Sequence, residues 1–399
     1  MEILWISKRI IITILMFFVE KIIPKDNNLV LFSCKNVLTN KEMFLYSSKY
    51  LFLYISSLKD KKVKAIWLCD DYDMLRKFKS VGLTNVFCRN DLKAINYILR
   101  ARYWFFDHGI SNISCLFYHN SNIKSINLWH GIPLKKICED ANSTPKHTNF
   151  YNKLFSLLRK ETDTYVINGE YEQNCYITAF FNSDNKFKVL GSPRLDILFH
   201  DVPYSDLFME KDFNQIKLFK EQGKNIFIYM PTFRDTGKNV TSWLKSTKLK
   251  AFLNSTNSVL ICKLHIADIN ILDSENNKSI YKMSSDSDPY SILKYTNGLI
   301  TDYSSIAYDY LLLDKPIIYH VPDLEEYQKT CRGFYIPYSE FAVGEITHSE
   351  DEIIRAMQNV MDNIDNYKVQ RKTLRDKIFK YQDGKNCERV VEWIRSLSE

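Results

Sequence analysis

Residues 298–320 read GLITDYSSIAYDYLLLDKPIIYH, and the fold turns on how that stretch is divided. Leu299 and Ile300 end a short apolar strand, residues 306–313 suit a helix, and Pro316 stops that helix before a second apolar strand ends at His320. Between strand and helix, residues 301–305 hold Asp302 and four hydroxyls in five positions. A helix N-terminus has N–H groups without intrahelical partners, and its peptide dipoles add, so such a turn suits an anion, phosphate above all. The plainer reading, that Ser304 and Ser305 only cap the helix, stays open on these residues alone.

The same alternation runs through the chain. Strands are expected at 29–33, 63–68, 86–88, 103–106, 125–128, 164–168 and 188–190, with helices at 41–58, 72–80 and 91–99 between the earlier ones. After a linker-like stretch, FHDVPYSD at 199–206, a charged helix over 206–221 leads to strands at 225–229, 258–263, 279–282, 298–301 and 316–320, then to about two helices beyond Glu350. This predicts an α/β protein of two Rossmann-like halves, residues 26–204 and 205–399, with the last helix packing back on the first half. No G-x-G-x-x-G follows the first strand, which argues against a nicotinamide or flavin dinucleotide.

Composition sets bounds. At 399 residues, 45% hydrophobic and 25% charged, the chain is long enough for two cored domains. A net charge of +7 is too mild and dispersed to indicate nucleic acid, but it suits anionic ligands or a membrane surface. Nine scattered cysteines without a C-x-x-C pair indicate neither a disulfide framework nor a zinc site, so no metal is expected and a reducing, cytosolic setting is. At the N-terminus, the apolar run 10–19 is flanked by Lys8, Arg9, Lys21 and Lys25. It falls short of the roughly 18–20 apolar residues of a spanning helix. Residues 1–25 are therefore expected to lie in the membrane interface rather than across it, with a buried core helix as the alternative.

Candidate chemistry gathers at strand ends, where open α/β sheets bind ligands. LWHGIPLKKI at 128–137 puts His130 there, with Gly131 permitting close backbone approach and Pro133 fixing the turn. A histidine accepts a hydroxyl proton near neutral pH, although a lone histidine is more often structural. MPTFRD at 230–235 supplies Thr232 and Arg234, the latter suited to bidentate phosphate recognition, and CKLHI at 262–266 supplies His265. With Thr301, Asp302, Ser304 and Ser305 these make a cluster. Among the other histidines, His108 in Asp107-His108-Gly109 also follows a strand.

The segments LWHGIPLKKI, GSPRLDIL (191–198), YMPTFRD (229–235), KLH (263–265), residues 301–320, RGFYIPYSEF (332–341) and DGKNCERV (383–390) occur in the order of the CDP-glycerol glycerophosphotransferases. Over residues 26–395 the chain resembles that family, the teichoic-acid primases and polymerases and their capsule-building relatives. The resemblance implies a glycosyltransferase-B-like architecture, two Rossmann-like domains facing a cleft. It implies transfer of glycerol phosphate or ribitol phosphate from a CDP-alditol to a hydroxyl of a lipid-linked (polyprenyl) or polymer acceptor at the cytoplasmic face of the membrane, releasing CMP, with no cofactor. On this reading His130 is the base and His265 a second catalytic residue. Thr232, Arg234, Thr301, Asp302, Ser304, Ser305, Arg332, Asp383, Gly384 and Lys385 hold the donor; Gly131, Pro133, Arg194 and Asp196 line the acceptor side. The chain departs from the family pattern at Ile266, at AVGEI (342–346), where a P-G-P turn is usual, and at Ser192 and Leu195, which puts the transferred alditol in doubt more than the reaction class. Two other classes fit the same architecture: a nucleotide-sugar glycosyltransferase and a noncatalytic, membrane-anchored subunit of a polymer-assembly complex.

Overall fold

The computed structural model describes residues 18–19, 22–35, 39, 41–60, 62–108, 122–141, 162–180, 186–234, 240–264 and 279–397. Two parallel sheets organise them. The first contains β1 (Asp26–Phe32), β2 (Lys64–Leu68), β3 (Val86–Phe87), β4 (Ala101–Phe106), β5 (Lys124–Asn127), β6 (Thr164–Ile167) and β7 (Phe187–Val189), in the order β3-β2-β1-β4-β5-β6-β7. The second contains β8 (Asn225–Tyr229), β9 (Ser258–Cys262), β10 (Ile280–Lys282), β11 (Gly298–Thr301), β12 (Ile317–His320) and β13 (Glu345–Thr347), in the order β10-β9-β8-β11-β12-β13. Helices cover the sheets, so central strands such as β8 and β11 are near-continuous apolar runs buried on both sides.

In both sheets the strand order reverses beside the first strand, between β1 and β4 and between β8 and β11. Such a switch point opens a crevice at the carboxyl ends of the strands. β4 leads into Asp107 and His108, β8 into Thr232, and β11 into the hydroxyl-rich turn, so the fold itself places the candidate residues at these crevices.

Three expectations need correction. The first helix runs Tyr46–Ser57 rather than from 41, and the Asp107 carboxylate fixes its start by accepting the Ser48 N–H at 3.1 Å. Three helices, not two, close the chain: Glu350–Met361, Lys368–Ile378 and Asn386–Ser396. Left-handed Asn363 and Gly384 turn the chain between them. Cys387, Val390, Val391 and Ile394 of the last helix share a core with Val30, Phe32 and Leu51. A strand was missed at β13, which takes the last two residues of AVGEI with Thr347; its approach to β12 needs Gly344, because a Cβ there would lie 2.0 Å from the Ile317 carbonyl oxygen. No helix among the described residues is long and apolar enough to cross a membrane. The stretch expected to lie in the membrane falls mostly at 1–17, outside the described residues.

Candidate active site

His130 follows β5 on a backbone that is locally strained. Trp129 before it takes φ +51°, a left-handed conformation that costs a non-glycine residue about 1–3 kcal/mol and that gathers at functional sites. The Asn127 side chain holds that turn by accepting the Trp129 N–H at 2.8 Å. The His130 ring stacks on Trp129 at 4.7 Å and meets His108 edge-on at 4.5 Å, and Tyr46 lies beside both histidines. Its Nδ1 is 3.1 Å from the Asp107 carbonyl oxygen. A carbonyl only accepts, so Nδ1 carries the proton and Nε2 keeps its lone pair. Surrounding protein, with His108 adding to the effect, pushes the His130 pKa down to about 3, although part of the residue is exposed. Water at that exposed part screens some of the penalty, so the direction governs, and the imidazole is neutral at pH 7. A neutral histidine with a free Nε2 can accept a proton.

Opposite stands the turn after β11. A Cβ at Gly131 would lie 3.1 Å from Ser305 Oγ, so the loop carrying His130 touches the turn directly and glycine keeps them close. Ser304 and Ser305 are half-buried, and neither hydroxyl has a hydrogen-bond partner among the described residues. The expected capped helix is only Ile306–Tyr310, continued by a 3-10 turn, and Ser305 makes no side-chain cap, so capping and the helix terminus both drop out as explanations.

Much of the expected phosphate cradle is framework. Thr301 Oγ1 donates to the Met230 carbonyl at 2.7 Å. Asp302 is buried and accepts the Thr232 N–H at 2.8 Å and the Tyr303 N–H at 2.5 Å, which ties the two sides of the switch point together. Arg234 pairs with Asp302 at 2.8 Å and Asp323 at 2.7 Å, donates to the Thr232 carbonyl, and lies against the rings of Tyr303 and Tyr327. Both carboxylates hold its pKa above the ordinary arginine value despite its burial. Its charge is balanced within the second half, a correction to its expected role as a free phosphate ligand. Asp323 also lines a cavity of ≈ 1130 Å³ with Trp243, His320 and His348. Thr232 stands half-buried at the crevice, Arg332 is exposed and acts on Lys135, and His265 lies outside the described residues.

Two groups move elsewhere. Arg194 and Asp196, expected on the acceptor side, are both buried and do not pair with each other. Arg194 crosses to the second half, where its Nη2 sits 3.1 Å from both oxygens of Asp309 and its Nε 3.1 Å from the Tyr290 hydroxyl. Asp196 accepts the Asn386 and Cys387 N–H groups at 2.9 and 2.7 Å and so anchors the last helix. Pro133 is buried, its carbonyl taken by the Tyr171 hydroxyl at 2.8 Å. Asp383, Gly384 and Lys385, expected to close over the donor, pack instead on the linker. A Cβ at Gly384 would lie 2.7 Å from Phe199 Cβ, and Asp383 holds Arg389 through two bonds of 2.9 Å. The sequence reading missed Asp107, Tyr46, Asp323 and Lys135. Lys135 stood inside the quoted LWHGIPLKKI motif, but spacing does not separate it from Lys136.

Two parallel sheets, each opening a crevice at its switch point and meeting through a histidine loop and a hydroxyl-rich turn, define a two-lobed α/β protein. The chain belongs to the CDP-glycerol:poly(glycerophosphate) glycerophosphotransferase family, whose model matches residues 15–396. It is 30% identical over 330 residues to a teichoic acid ribitol-phosphate polymerase of Staphylococcus aureus, covering 81% of this chain and 62% of that protein. It is 26% identical over 393 residues to a teichoic acid poly(glycerol phosphate) polymerase of Bacillus spizizenii, covering 95% of this chain and 94% of that one. Against a second Staphylococcus aureus ribitol-phosphate polymerase the match covers only 46% of the relative, so the chain spans about half to two thirds of these ribitol-phosphate relatives. Among solved structures, the wall teichoic acid polymerase TagF soaked with CDPG superposes with a TM-score of 0.71 at 20% identity, over 93% of this chain and 89% of that one. A putative UDP-N-acetylglucosamine 2-epimerase from Listeria monocytogenes shares the architecture at a TM-score of 0.52 and 10% identity, over 93% of this chain and 97% of that one.

Proposed function

We propose that this chain transfers an alditol phosphate, glycerol phosphate or ribitol phosphate, from a CDP-alditol to a hydroxyl of a lipid-linked or polymer acceptor and releases CMP. The two halves are read as the lobes of a glycosyltransferase-B-like enzyme, residues 26–204 on the acceptor side and 205–399 on the donor side. The observation that carries the reading is the tautomer of His130: with Nδ1 donating to Asp107, Nε2 is an acceptor on a loop that touches the Ser305 turn. Family membership and the names of the relatives support the donor class.

In this mechanism the acceptor oxygen attacks the β-phosphorus as Nε2 takes its proton. The bond from the β-phosphorus to the bridging oxygen breaks, and that oxygen leaves on CMP. General-base help of this kind is worth ~10²- to 10⁴-fold, and charge stabilisation by hydroxyls and cations supplies much of the rest. A polyprenyl-linked acceptor would place the reaction at the cytoplasmic face of the membrane. The test is to incubate the protein with CDP-glycerol, CDP-ribitol and a lipid-linked acceptor and to measure CMP and product mass. Acceptor-dependent CMP release with addition of one or more alditol phosphates is expected. Turnover of sugar nucleotides alone would overturn the reading in favour of a glycosyltransferase.

A further inference from the structure

The arginine that the sequence offers for phosphate is already neutralised. Arg234 has a carboxylate on either side, Asp302 and Asp323, and its N–H groups point into them and into the Thr232 carbonyl. Whatever binds a diphosphate here needs positive charge from another residue.

Lys135 belongs to the first half but sits against the second. Lys135 and Phe334 form an antiparallel bridge, with the Lys136 N–H donating to the Gly333 carbonyl at 2.9 Å and the Tyr335 N–H to the Leu134 carbonyl at 2.9 Å. This short pairing carries the Lys135 side chain across to Tyr327, whose hydroxyl its ammonium meets at 3.2 Å. Tyr327 stacks face to face on Tyr303, at a centroid distance of 3.8 Å, and Arg234 lies against both rings. Lys135 therefore ends one ring away from Tyr303, the residue that opens the Tyr303–Ser305 turn.

No ion pair of Lys135 is formed among the described residues, and Arg332, next to the bridge, forms none either. Among the described residues the strongest attraction on Lys135 comes from the Asp302 carboxylate, already engaged by Arg234, while Arg332 and Arg234 repel it. A half-buried ammonium with a phenol for its partner and two guanidiniums for neighbours is poorly compensated. An anion placed among Lys135, Arg332 and the unpartnered hydroxyls of Ser304 and Ser305 would relieve that cost. The geometry points to Lys135 as the donor-binding cation of this site: we propose that its ammonium grips the diphosphate of the nucleotide donor, with Arg332 at the rim. This rests on the CDP-alditol reading given above.

The arrangement has a mechanical consequence. His130, Gly131 and Lys135 lie on one loop, and its far end is pinned to the donor half by the bridge at Phe334. A diphosphate held by Lys135 is thereby held at a fixed offset from the base, which is the positioning that phosphoryl transfer depends on.

The proposal is tested by steady-state kinetics of wild type, Lys135→Ala and Lys135→Arg with CDP-glycerol and CDP-ribitol over pH 6–10. Burial lowers the Lys135 pKa to about 8. In the free enzyme, donor kcat/KM should fall above that pH as the ammonium loses its proton, with Asp302, Cys331, Tyr327, Arg234 and Arg332 the other titratable or charged groups around it. Lys135→Ala should lower donor kcat/KM by ~10- to 100-fold, the size of one charge-assisted hydrogen bond, mainly through KM, with acceptor KM and melting temperature unchanged. Lys135→Arg, charged throughout, should keep most of the activity and lose the alkaline limb. A wild-type donor KM in Lys135→Ala, or an unaltered alkaline limb in Lys135→Arg, overturns the proposal while leaving the function intact. If the wild type neither binds nor consumes either donor, the CDP-alditol reading fails and the proposal falls with it.

Discussion

Arg194 of the first half and Asp309 of the second form a buried bidentate ion pair, with Nη2 3.1 Å from each carboxylate oxygen. Asp309 lies one helical turn beyond Ser305, and Ser305 touches Gly131. The element after β11 is therefore held from the first half by this ion pair, by the Gly131 contact and by the Tyr171 hydroxyl, which lies 3.1 Å from that of Tyr308. A second buried pair, Lys49 with Asp288 at 2.9 Å, also crosses between the halves.

Removing one member of the Arg194 pair leaves a charge buried without its partner. Asp309→Ala should destabilise the fold by about 3–5 kcal/mol, and the double variant Arg194→Met, Asp309→Leu should recover most of that. Urea unfolding of the wild type and the two variants checks this, and equal stability of single and double variants contradicts it.

Gly131→Ala tests the contact at the site itself. The new Cβ, 3.1 Å from Ser305 Oγ, displaces either the histidine loop or the turn. A roughly tenfold to hundredfold loss of kcat with an unchanged melting temperature is expected, because small misplacements of a reacting group are costly in phosphoryl transfer. Pairing it with Ser305→Gly restores the space, so if sterics are the cause the double variant should have the kcat of Ser305→Gly alone, with no further loss from the added methyl.

Asp196 distinguishes anchoring from acceptor binding. Because its carboxylate accepts two N–H groups at the start of the last helix, Asp196→Ala should lower stability by about 1–2 kcal/mol. Acceptor KM should stay at the wild-type value in the folded protein. A raised acceptor KM without loss of stability would return Asp196 to the cleft.

The alternation of strands and helices was legible because parallel strands buried on both faces are continuous apolar runs, as at 225–229 and 298–301. β13 was not, since three residues, one of them exposed, carry no such signal. At the site, His130 and the Ser304–Ser305 turn could be read from strand ends. The partners of Arg194, Arg234 and Asp196 could not. Each depends on a residue far away in sequence, and a charge offered to a ligand has the same letter as a charge neutralised in the core. Lys135 is the converse case: its reach depends on a bridge to Phe334 that no local pattern encodes.

The lowered pKa of His130 carries a sign. Burial and His108 disfavour the imidazolium, so the basic form persists below the ordinary value of about 6.5. The acid limb of kcat/KM should therefore lie below that pH. His108→Ala, which removes a repelling ring 4.5 Å away, should move the limb upward. A wild-type limb at or above 6.5 contradicts the arrangement.

The most direct measurement is single-turnover CMP release by His130→Ala beside the wild type, with donor affinity measured on the same preparations. If His130 is the base acting on a donor held by the second half, the variant binds CDP-alditol with unchanged affinity and releases CMP ~10²- to 10⁴-fold more slowly. Wild-type release by His130→Ala would contradict the account.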